Sequence, residues 1–164
     1  MSAYRPILLA EDDPHDAEMT RRALAAAKLA NELVIVSDGV EALQYLRRQG
    51  PWARRGGGLP GVLLLDIKMP RKSGLQVLRE VRADPVLKVL PVVMLTSSRE
   101  NPDLEAAYTL GANAYVVKPV DFNEFVEAVK QIGAFWAVVN EPPKDEPVGL
   151  REATSGPGKL FEVR

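Results

Sequence analysis

The chain has no cysteine and only one histidine among its 164 residues. Without thiols it can form no disulfide bond, no thiolate metal site and no cysteine nucleophile. The single histidine, His15, argues against a histidine-rich metal site and against a Ser/His/Asp triad built on a second histidine. Any metal site would therefore have to be built from oxygen ligands, which favour hard cations.

The sequence also lacks an excess of charge of either sign, with 21 basic and 22 acidic residues. This balance gives no reason to expect nucleic acid or a membrane surface as a partner. No apolar run approaches membrane-spanning length, and "MSAYRPILLAEDD" at the N-terminus lacks the long apolar stretch of a signal peptide. Together with a hydrophobic content of 46%, these features predict one compact cytoplasmic domain.

Five short runs rich in Leu, Val and Ile alternate with longer segments of helical pattern. The runs are "PILLA" (6–10), "LVIVS" (33–37), "GVLLLD" (61–66), "LPVVMLT" (90–96) and "AYVVK" (114–118). Their length and composition are typical of strands buried in a parallel sheet. The helices are predicted over about 14–30, after "SDG" (37–39), from the cap at Ser73, after "ENPD" (100–103) and over about 121–139. This alternation predicts a doubly wound α/β fold with five parallel strands in the flavodoxin-like order 2-1-3-4-5 and five helices.

Two segments do not fit this alternation. Residues 47–61, "RRQGPWARRGGGLPG", form a long Gly/Arg-rich connection that we expect to be a mobile surface loop. From residue 140 onward the composition becomes rich in Pro, Gly and charge, and such a segment cannot build its own core. We therefore predict a folded domain over 1–139 and a C-terminal extension over 140–164 that is extended or packed on a partner.

Polar residues follow four of the predicted strands, at the sheet edge where ligands bind in open parallel sheets. They are Glu11, Asp12 and Asp13 after the first strand, Asp66 after the third, Thr96 at the end of the fourth and Lys118 at the end of the fifth. Taken singly, most of them could be helix caps or solvated surface residues. Their joint placement at one edge favours a functional site.

The chemistry of this site follows from its charge. Clustered carboxylates repel one another unless a cation joins them, and an all-oxygen site suits Mg²⁺. Glu11 and Asp12 fit metal binding, with a backbone carbonyl near Lys68 as a further ligand. A carboxylate can also act as a nucleophile toward a phosphoryl group, and Asp66 is suited to this because it lies alone at the tip of the central strand. Lys118 and Thr96 would then contact the phosphoryl oxygens.

Four segments resemble the receiver domain of two-component response regulators, in the order and spacing of that family. They are "ILLAEDDP", "LLLDIKMPRKSG", "VVMLTSS" and "GANAYVVKP", and the resemblance covers residues 5 to about 139. It implies that a histidine kinase phosphorylates Asp66 in a reaction that needs Mg²⁺ or Mn²⁺. It further implies that Glu11 and Asp12 are the acid pair, that Lys68 supplies its carbonyl to the metal, and that Asp13 is not an obligatory ligand. Thr96 and Lys118 would contact the phosphoryl group, and Tyr115 would change rotamer on activation.

The sequence of the fifth helix indicates a protein–protein interface. Its C-terminal part is apolar nearly all round, which calls for a second partner surface. We expect a homodimer through the fourth helix, fifth strand and fifth helix. The C-terminal extension would reach across to the other subunit. Its face would include Phe122, Phe135, Val138 and Val139. The alternative is that the C-terminal extension covers the apolar end of the fifth helix on its own subunit.

A narrower resemblance suggests the kinase partner. The long 47–61 loop and "QIGAFWAVVNEPP" are similar to segments of the single-domain regulators paired with bacterial phytochrome histidine kinases. Other functions stay open: a phosphorelay or phosphate-sink domain, or a degenerate receiver that serves as a dimerising scaffold. Enzymatic activity would be at most self-catalysed phosphotransfer and autodephosphorylation. A flavodoxin-like cofactor protein is disfavoured because "AEDDPHD" is acidic where that fold binds phosphate.

Overall fold

Five strands and five α-helices alternate along the part of the chain that the structure describes. The computed structural model describes residues 5–97, 101–118 and 121–132. The strands are β1 (Ile7–Ala10), β2 (Leu33–Val36), β3 (Val62–Leu65), β4 (Val92–Thr96) and β5 (Ala114–Val117). The helices are α1 (Pro14–Ala26), α2 (Gly39–Arg47), α3 (Gly74–Ala83), α4 (Asn101–Thr109) and α5 (Phe122–Ile132). Short 3₁₀ turns lie at Gly50–Trp52 and Leu87–Val89.

The strands form one parallel sheet in the order β2-β1-β3-β4-β5. Ile7 in β1 pairs with Leu33 of β2 on one side and with Val62 of β3 on the other. The predicted doubly wound fold is therefore confirmed, including its strand order. Because every strand runs in the same direction, all five carboxyl ends meet at one edge of the sheet.

Helices cover both faces of the sheet, and the strands alternate their side chains between two cores. In β1, Leu8 and Ala10 belong to one core, whereas Ile7 and Leu9 belong to the other. The first core is completed mainly by α2 and α3, and the second by α1 and α5. Burial on both faces explains why the strands read as continuous apolar runs rather than as alternating patterns.

Helix α1 is shorter than the sequence predicts. The apolar pattern extends to about residue 30, but the helix ends at Ala26 and Ala27 forms its C-cap. Lys28 has a left-handed backbone with φ of 56°, and its N–H donates to the carbonyl of Ala25 at 3.0 Å. A left-handed residue terminates a helix, and here it turns the chain toward β2.

The Gly/Arg-rich segment 47–61 lies at the surface, as expected, and several of its side chains pack against α2. The Arg55 guanidinium lies 4.1 Å from the centre of the Tyr45 ring, and its Nε donates to the Tyr45 carbonyl at 2.6 Å. Trp52 meets the same ring edge-to-face with centroids 4.9 Å apart. One arginine and one aromatic side chain thus attach the segment to a helix, and its mobility stays a prediction.

Some of the predicted features lie outside the described residues. These include Phe135, Val138 and Val139 of the expected dimer face, the last part of the fifth helix as predicted, and the whole 140–164 extension. Within the described ranges, no helix has the length and apolar character needed to cross a membrane.

Candidate active site

Backbone hydrogen bonds continue the sheet just past the strand ends and so position the polar residues there. The N–H of Glu11 donates to the Val36 carbonyl at 3.0 Å, and the N–H of Asp66 donates to the Ala10 carbonyl at 3.1 Å. On the other side, the N–H of Lys118 donates to the Thr96 carbonyl at 2.8 Å. The backbone at these predicted site residues is therefore held by the hydrogen bonds of the sheet itself.

Three carboxylates converge at the centre of this edge. One oxygen each from Glu11, Asp12 and Asp66 lie within 4.8 Å of one another. Glu11 and Asp66 are buried, at 3% and 8% exposure, while Asp12 is exposed and opens the cluster to solvent. Among the described residues, Oε2 of Glu11 has no hydrogen-bond partner although it is buried. A buried oxygen without a donor, beside two further carboxylates, fits a hard divalent cation.

Lys118 lies next to this cluster and is itself only 8% exposed. Its ammonium contacts Oε1 of Glu11, Oδ2 of Asp16 at 3.1 Å and Oδ2 of Asp66 at 3.4 Å. The lysine thus links the first, third and fifth strands through side-chain ion pairs. A buried ammonium surrounded by carboxylates is held in place by charge, since moving it away would leave the acids unpaired.

The environment changes the protonation of both Glu11 and Lys118. Burial raises the pKa of Glu11 to about 8, and the neighbouring Asp66 carboxyl raises it further, while Lys118 acts in the opposite direction. Burial alone would lower the pKa of Lys118, but its hydrogen bond to Glu11 and the charge of Asp66 raise it above its ordinary value. Lys118 therefore stays charged at neutral pH. The cluster carries more negative charge than one lysine can offset, which again favours a cation.

The loop between β3 and α3 closes tightly around Asp66. Oδ1 of Asp66 accepts the N–H of Ile67 at 2.8 Å, and the N–H of Gly74 donates to the Ile67 carbonyl at 2.8 Å. A Cβ at Gly74 would lie 2.8 Å from the Asp66 carbonyl carbon, so only glycine fits this approach. Ser73 then starts α3 with a reciprocal capping box to Gln76. Lys68 lies in the same loop with an exposed side chain.

Thr96 and Tyr115 lie on the same face of the sheet. Thr96 is two residues after Met94, and Met94 pairs with Tyr115 across β4 and β5. Thr96 is 1% exposed at the edge of the sheet, whereas Tyr115 is half-buried and packs on the core next to α2, α3 and α4. The two predicted switch residues are therefore diagonal neighbours on adjacent strands.

Asp13 and Asp16 have different roles, although both belong to the same acidic stretch. Asp13 caps α1, because its Oδ1 accepts the N–H groups of His15 and Asp16 at 2.8 and 3.1 Å. Those hydrogen bonds lower the pKa of Asp13 below its ordinary value. The sequence reasoning missed Asp16, which contacts Lys118 from the first turn of α1. The available signal was the Pro14 helix start, which places Asp16 in that turn.

Comparison with protein families identifies the class of this chain. Residues 7–130 match the family described as "Response regulator receiver domain". The chain belongs to this family, as the sequence motifs predicted. The fold and the acidic edge described above are therefore those of a response regulator receiver.

Similar proteins include several phytochrome response regulators. Response regulator Rcp1 from Synechocystis sp. (strain ATCC 27184 / PCC 6803 / Kazusa) is 35% identical over 130 residues, which are 79% of this chain and 87% of Rcp1. The phosphorylated cyanobacterial phytochrome response regulator RcpA is 37% identical with a TM-score of 0.79, over 87% of this chain and 100% of that one. The bacteriophytochrome response regulator RtBRR is 54% identical with a TM-score of 0.70, over 85% of this chain and 84% of that one.

Rcp1 also has a solved Mn²⁺-bound form. That structure is 34% identical with a TM-score of 0.77, over 85% of this chain and 99% of that one. Divalent metal binding thus occurs among similar receivers, and the carboxylate cluster of this chain has the oxygen ligands for it.

Proposed function

We propose that this chain is a response regulator that accepts a phosphoryl group on Asp66 from the phosphohistidine of a sensor histidine kinase. The observation that carries the proposal is the buried Asp66 carboxylate with Lys118 at 3.4 Å and two further acids beside it. A carboxylate oxygen of Asp66 attacks phosphorus, the P–N bond of the donor breaks, and the leaving imidazole nitrogen takes up a proton from solvent. The product is an acyl phosphate on Asp66.

The residues around Asp66 have distinct tasks in this reaction. Glu11, Asp12, Asp66 and the backbone carbonyl of Lys68 would hold Mg²⁺ or Mn²⁺, which would offset charge on the phosphoryl oxygens. Lys118 pairs with one phosphoryl oxygen, and the Thr96 hydroxyl donates to another. The N–H of Ile67 holds one oxygen of Asp66, so the carboxylate keeps a fixed orientation during attack.

Phosphorylation changes the conformation of the protein surface that binds the partner. Phosphorylation draws the Thr96 hydroxyl toward Asp66, and the space that it leaves lies on the face of the sheet that carries Tyr115. The phosphoryl group thereby favours one of two pre-existing rotamers of Tyr115. The altered face, formed by α4, β5 and α5, then binds its partner.

The relatives and α5 support the proposed partners. A phytochrome-type kinase is supported by the phytochrome response regulators among the similar proteins. A homodimer through α4, β5 and α5 is supported by Phe122, which is 42% exposed at the start of α5. Covering such a ring with a second subunit would remove apolar surface from water, which favours association.

Intact-mass measurement after incubation with acetyl phosphate tests the phosphoryl chemistry. The wild-type chain should gain one phosphoryl group in the presence of Mg²⁺ and none in the presence of a chelator. Asp66→Asn should gain none, while Asp13→Asn should react like wild type because asparagine also caps a helix. A wild-type chain that folds, binds Mg²⁺ and gains no mass would contradict the proposal.

A further inference from the structure

Asp16 contacts the active-site lysine from a helix that supplies no other side chain to it. Oδ2 of Asp16 lies 3.1 Å from Nζ of Lys118, closer than Oδ2 of Asp66 at 3.4 Å. The two residues are 102 positions apart in the chain, so the contact depends on how α1 packs against α5 and the sheet. The side chain of Asp16 is 29% exposed, and the lysine that it meets is buried.

The backbone of Asp16 is held at both of its polar groups. Its N–H donates to Oδ1 of Asp13 at 3.1 Å, as part of the N-cap of α1. Its carbonyl accepts the hydroxyl of the buried Thr20 at 2.9 Å. The carboxylate therefore projects from a rigid helical turn and needs little further ordering to contact Lys118.

The hydrogen-bond capacity of Lys118 gives this contact a specific consequence. An ammonium group has three N–H donors, and three carboxylates of the described residues surround Nζ: Glu11, Asp16 and Asp66. A phosphoryl group on Asp66 has to take over one of these donors. The Asp66 contact is the longest of the three, so it is the one that can be exchanged while the other two hold the ammonium in place.

We propose that Asp16 is a positioning residue for phosphoryl transfer, which holds Nζ of Lys118 in line for an oxygen of the incoming phosphoryl group. The inference rests on the proposed phosphorylation of Asp66 and deepens it. Without Asp16, Lys118 loses one of its two fixed contacts and shifts toward Glu11 and Asp66. The ammonium then neutralises the attacking carboxylate and is misplaced for the phosphoryl oxygen.

The test is the rate of acetyl phosphate-driven phosphorylation at saturating Mg²⁺, for wild type, Asp16→Ala and Asp16→Glu. For Asp16→Ala we expect the maximal rate to fall roughly tenfold, because misplacement of a catalytic group acts on the reacting geometry. The KM for acetyl phosphate and the Kd for Mg²⁺ should stay near their wild-type values. Asp16→Glu should recover much of the rate, since it restores a carboxylate that can reach Nζ.

Glu18→Gln is the matched control, because it removes a carboxylate from the same helix. The Glu18 side chain is 42% exposed and pairs with Arg21 and Arg22, so the rate of this variant should equal that of wild type. A wild-type rate for Asp16→Ala would overturn the inference and leave the proposed function intact. A lower melting temperature without a change in maximal rate would also overturn it, since that result indicates a purely structural role. Failure of the wild-type chain to react would overturn both proposals.

Discussion

Nζ of Lys118 lies 3.4 Å from Oδ2 of Asp66, although the two residues are 52 positions apart in the chain. The contact joins the tip of the central strand to the end of the edge strand β5. It also places the positive charge of the site beside the carboxylate that we propose as the phosphoacceptor. The stability of this end of the sheet therefore depends on the balance between one ammonium and several acids.

Replacement of Lys118 should make the stability of the protein depend more strongly on a divalent cation. In Lys118→Met the carboxylates of Glu11 and Asp66 lose their shared partner, and we expect the free energy of unfolding to fall by about 3 kcal/mol without Mg²⁺. Mg²⁺ should stabilise this variant more than wild type, because it binds only the folded cluster and no longer competes with the ammonium. Urea unfolding with and without Mg²⁺ measures both effects.

Lys72→Met is the control for that comparison. Lys72 pairs with Glu80 on the surface, with about a third of each side chain exposed. Its loss should cost less than about 1 kcal/mol and should not alter the response to Mg²⁺. An equal Mg²⁺ response in Lys118→Met and wild type would show that the lysine does not share its acids with the metal.

Gly74→Ala should disrupt the loop that orients Asp66. The added Cβ would lie 2.8 Å from the Asp66 carbonyl carbon and 3.0 Å from Cα of Ile67, which forces the backbone apart. We expect a loss of roughly 1–3 kcal/mol in the free energy of unfolding, together with slower phosphorylation. Gly56→Ala is the control, since its Cβ would meet nothing within 4 Å. Equal stability of the two variants would contradict the steric argument.

The sequence was sufficient to place the residues that follow the strands. Asp66 and Glu11 come directly after buried apolar runs, and parallel strands necessarily bring their carboxyl ends together. Asp16 could not be placed in the same way, because its distance to Lys118 depends on the packing of α1 against α5 and the sheet. Periodicity identifies a helix, but it does not give the orientation at which that helix docks.

The 47–61 segment shows a second feature that composition does not predict. Three consecutive glycines and several arginines are typical of a flexible connection, and they gave no sign that Arg55 would contact Tyr45. Its position over the Tyr45 ring depends on a geometry that composition does not encode. Local composition therefore predicts a loop correctly but not whether side chains fix it to the core.

Asp38 should contribute stability that is lost at acid pH. Partial burial alone would raise its pKa, but the Glu41 N–H and the Arg71 guanidinium lower it below its ordinary value of 3.8. A carboxyl whose pKa is lower in the folded state stabilises the fold above its unfolded pKa, and this contribution disappears as the pH falls through the folded value. Asp38→Asn should thus be less stable than wild type at pH 7, with a difference that shrinks below about pH 4.

Asp38→Ala separates the charge of this residue from its role as a cap. Oδ1 of Asp38 caps α2 at 2.8 Å from the Glu41 nitrogen, and asparagine can replace that hydrogen bond whereas alanine cannot. We expect the alanine variant to lose about 1 kcal/mol more than the asparagine variant, at neutral and at acid pH alike. Thermal unfolding of both variants across the pH range measures this, and a pH-independent loss in Asp38→Asn would contradict the charge argument.

Arg55→Ala should loosen the 47–61 segment without affecting the active site. The substitution removes the contact with the Tyr45 ring and the hydrogen bonds to the carbonyls of Tyr45 and Gly58. We expect a loss of roughly 1–2 kcal/mol, and faster amide exchange in the segment. The exposed neighbour Arg54 is a matched control, and Arg54→Ala should stay within about 0.5 kcal/mol of wild type. Unchanged exchange in Arg55→Ala would show that the segment is held by other contacts.

Phe122 and Phe125 on α5 should respond to truncation in opposite ways. Phe125 is fully buried in the core that α1 and α5 form with the sheet, and Phe125→Ala should cost about 3–5 kcal/mol. Phe122 is 42% exposed, so Phe122→Ala should leave the stability of the monomer within about 0.5 kcal/mol of wild type.

In the proposed homodimer, however, Phe122 is covered by the second subunit. Sedimentation of phosphorylated and unphosphorylated protein at micromolar concentration should therefore show weaker dimerisation for Phe122→Ala. A wild-type chain that is monomeric in both states would exclude the homodimer and leave the exposed ring for another partner.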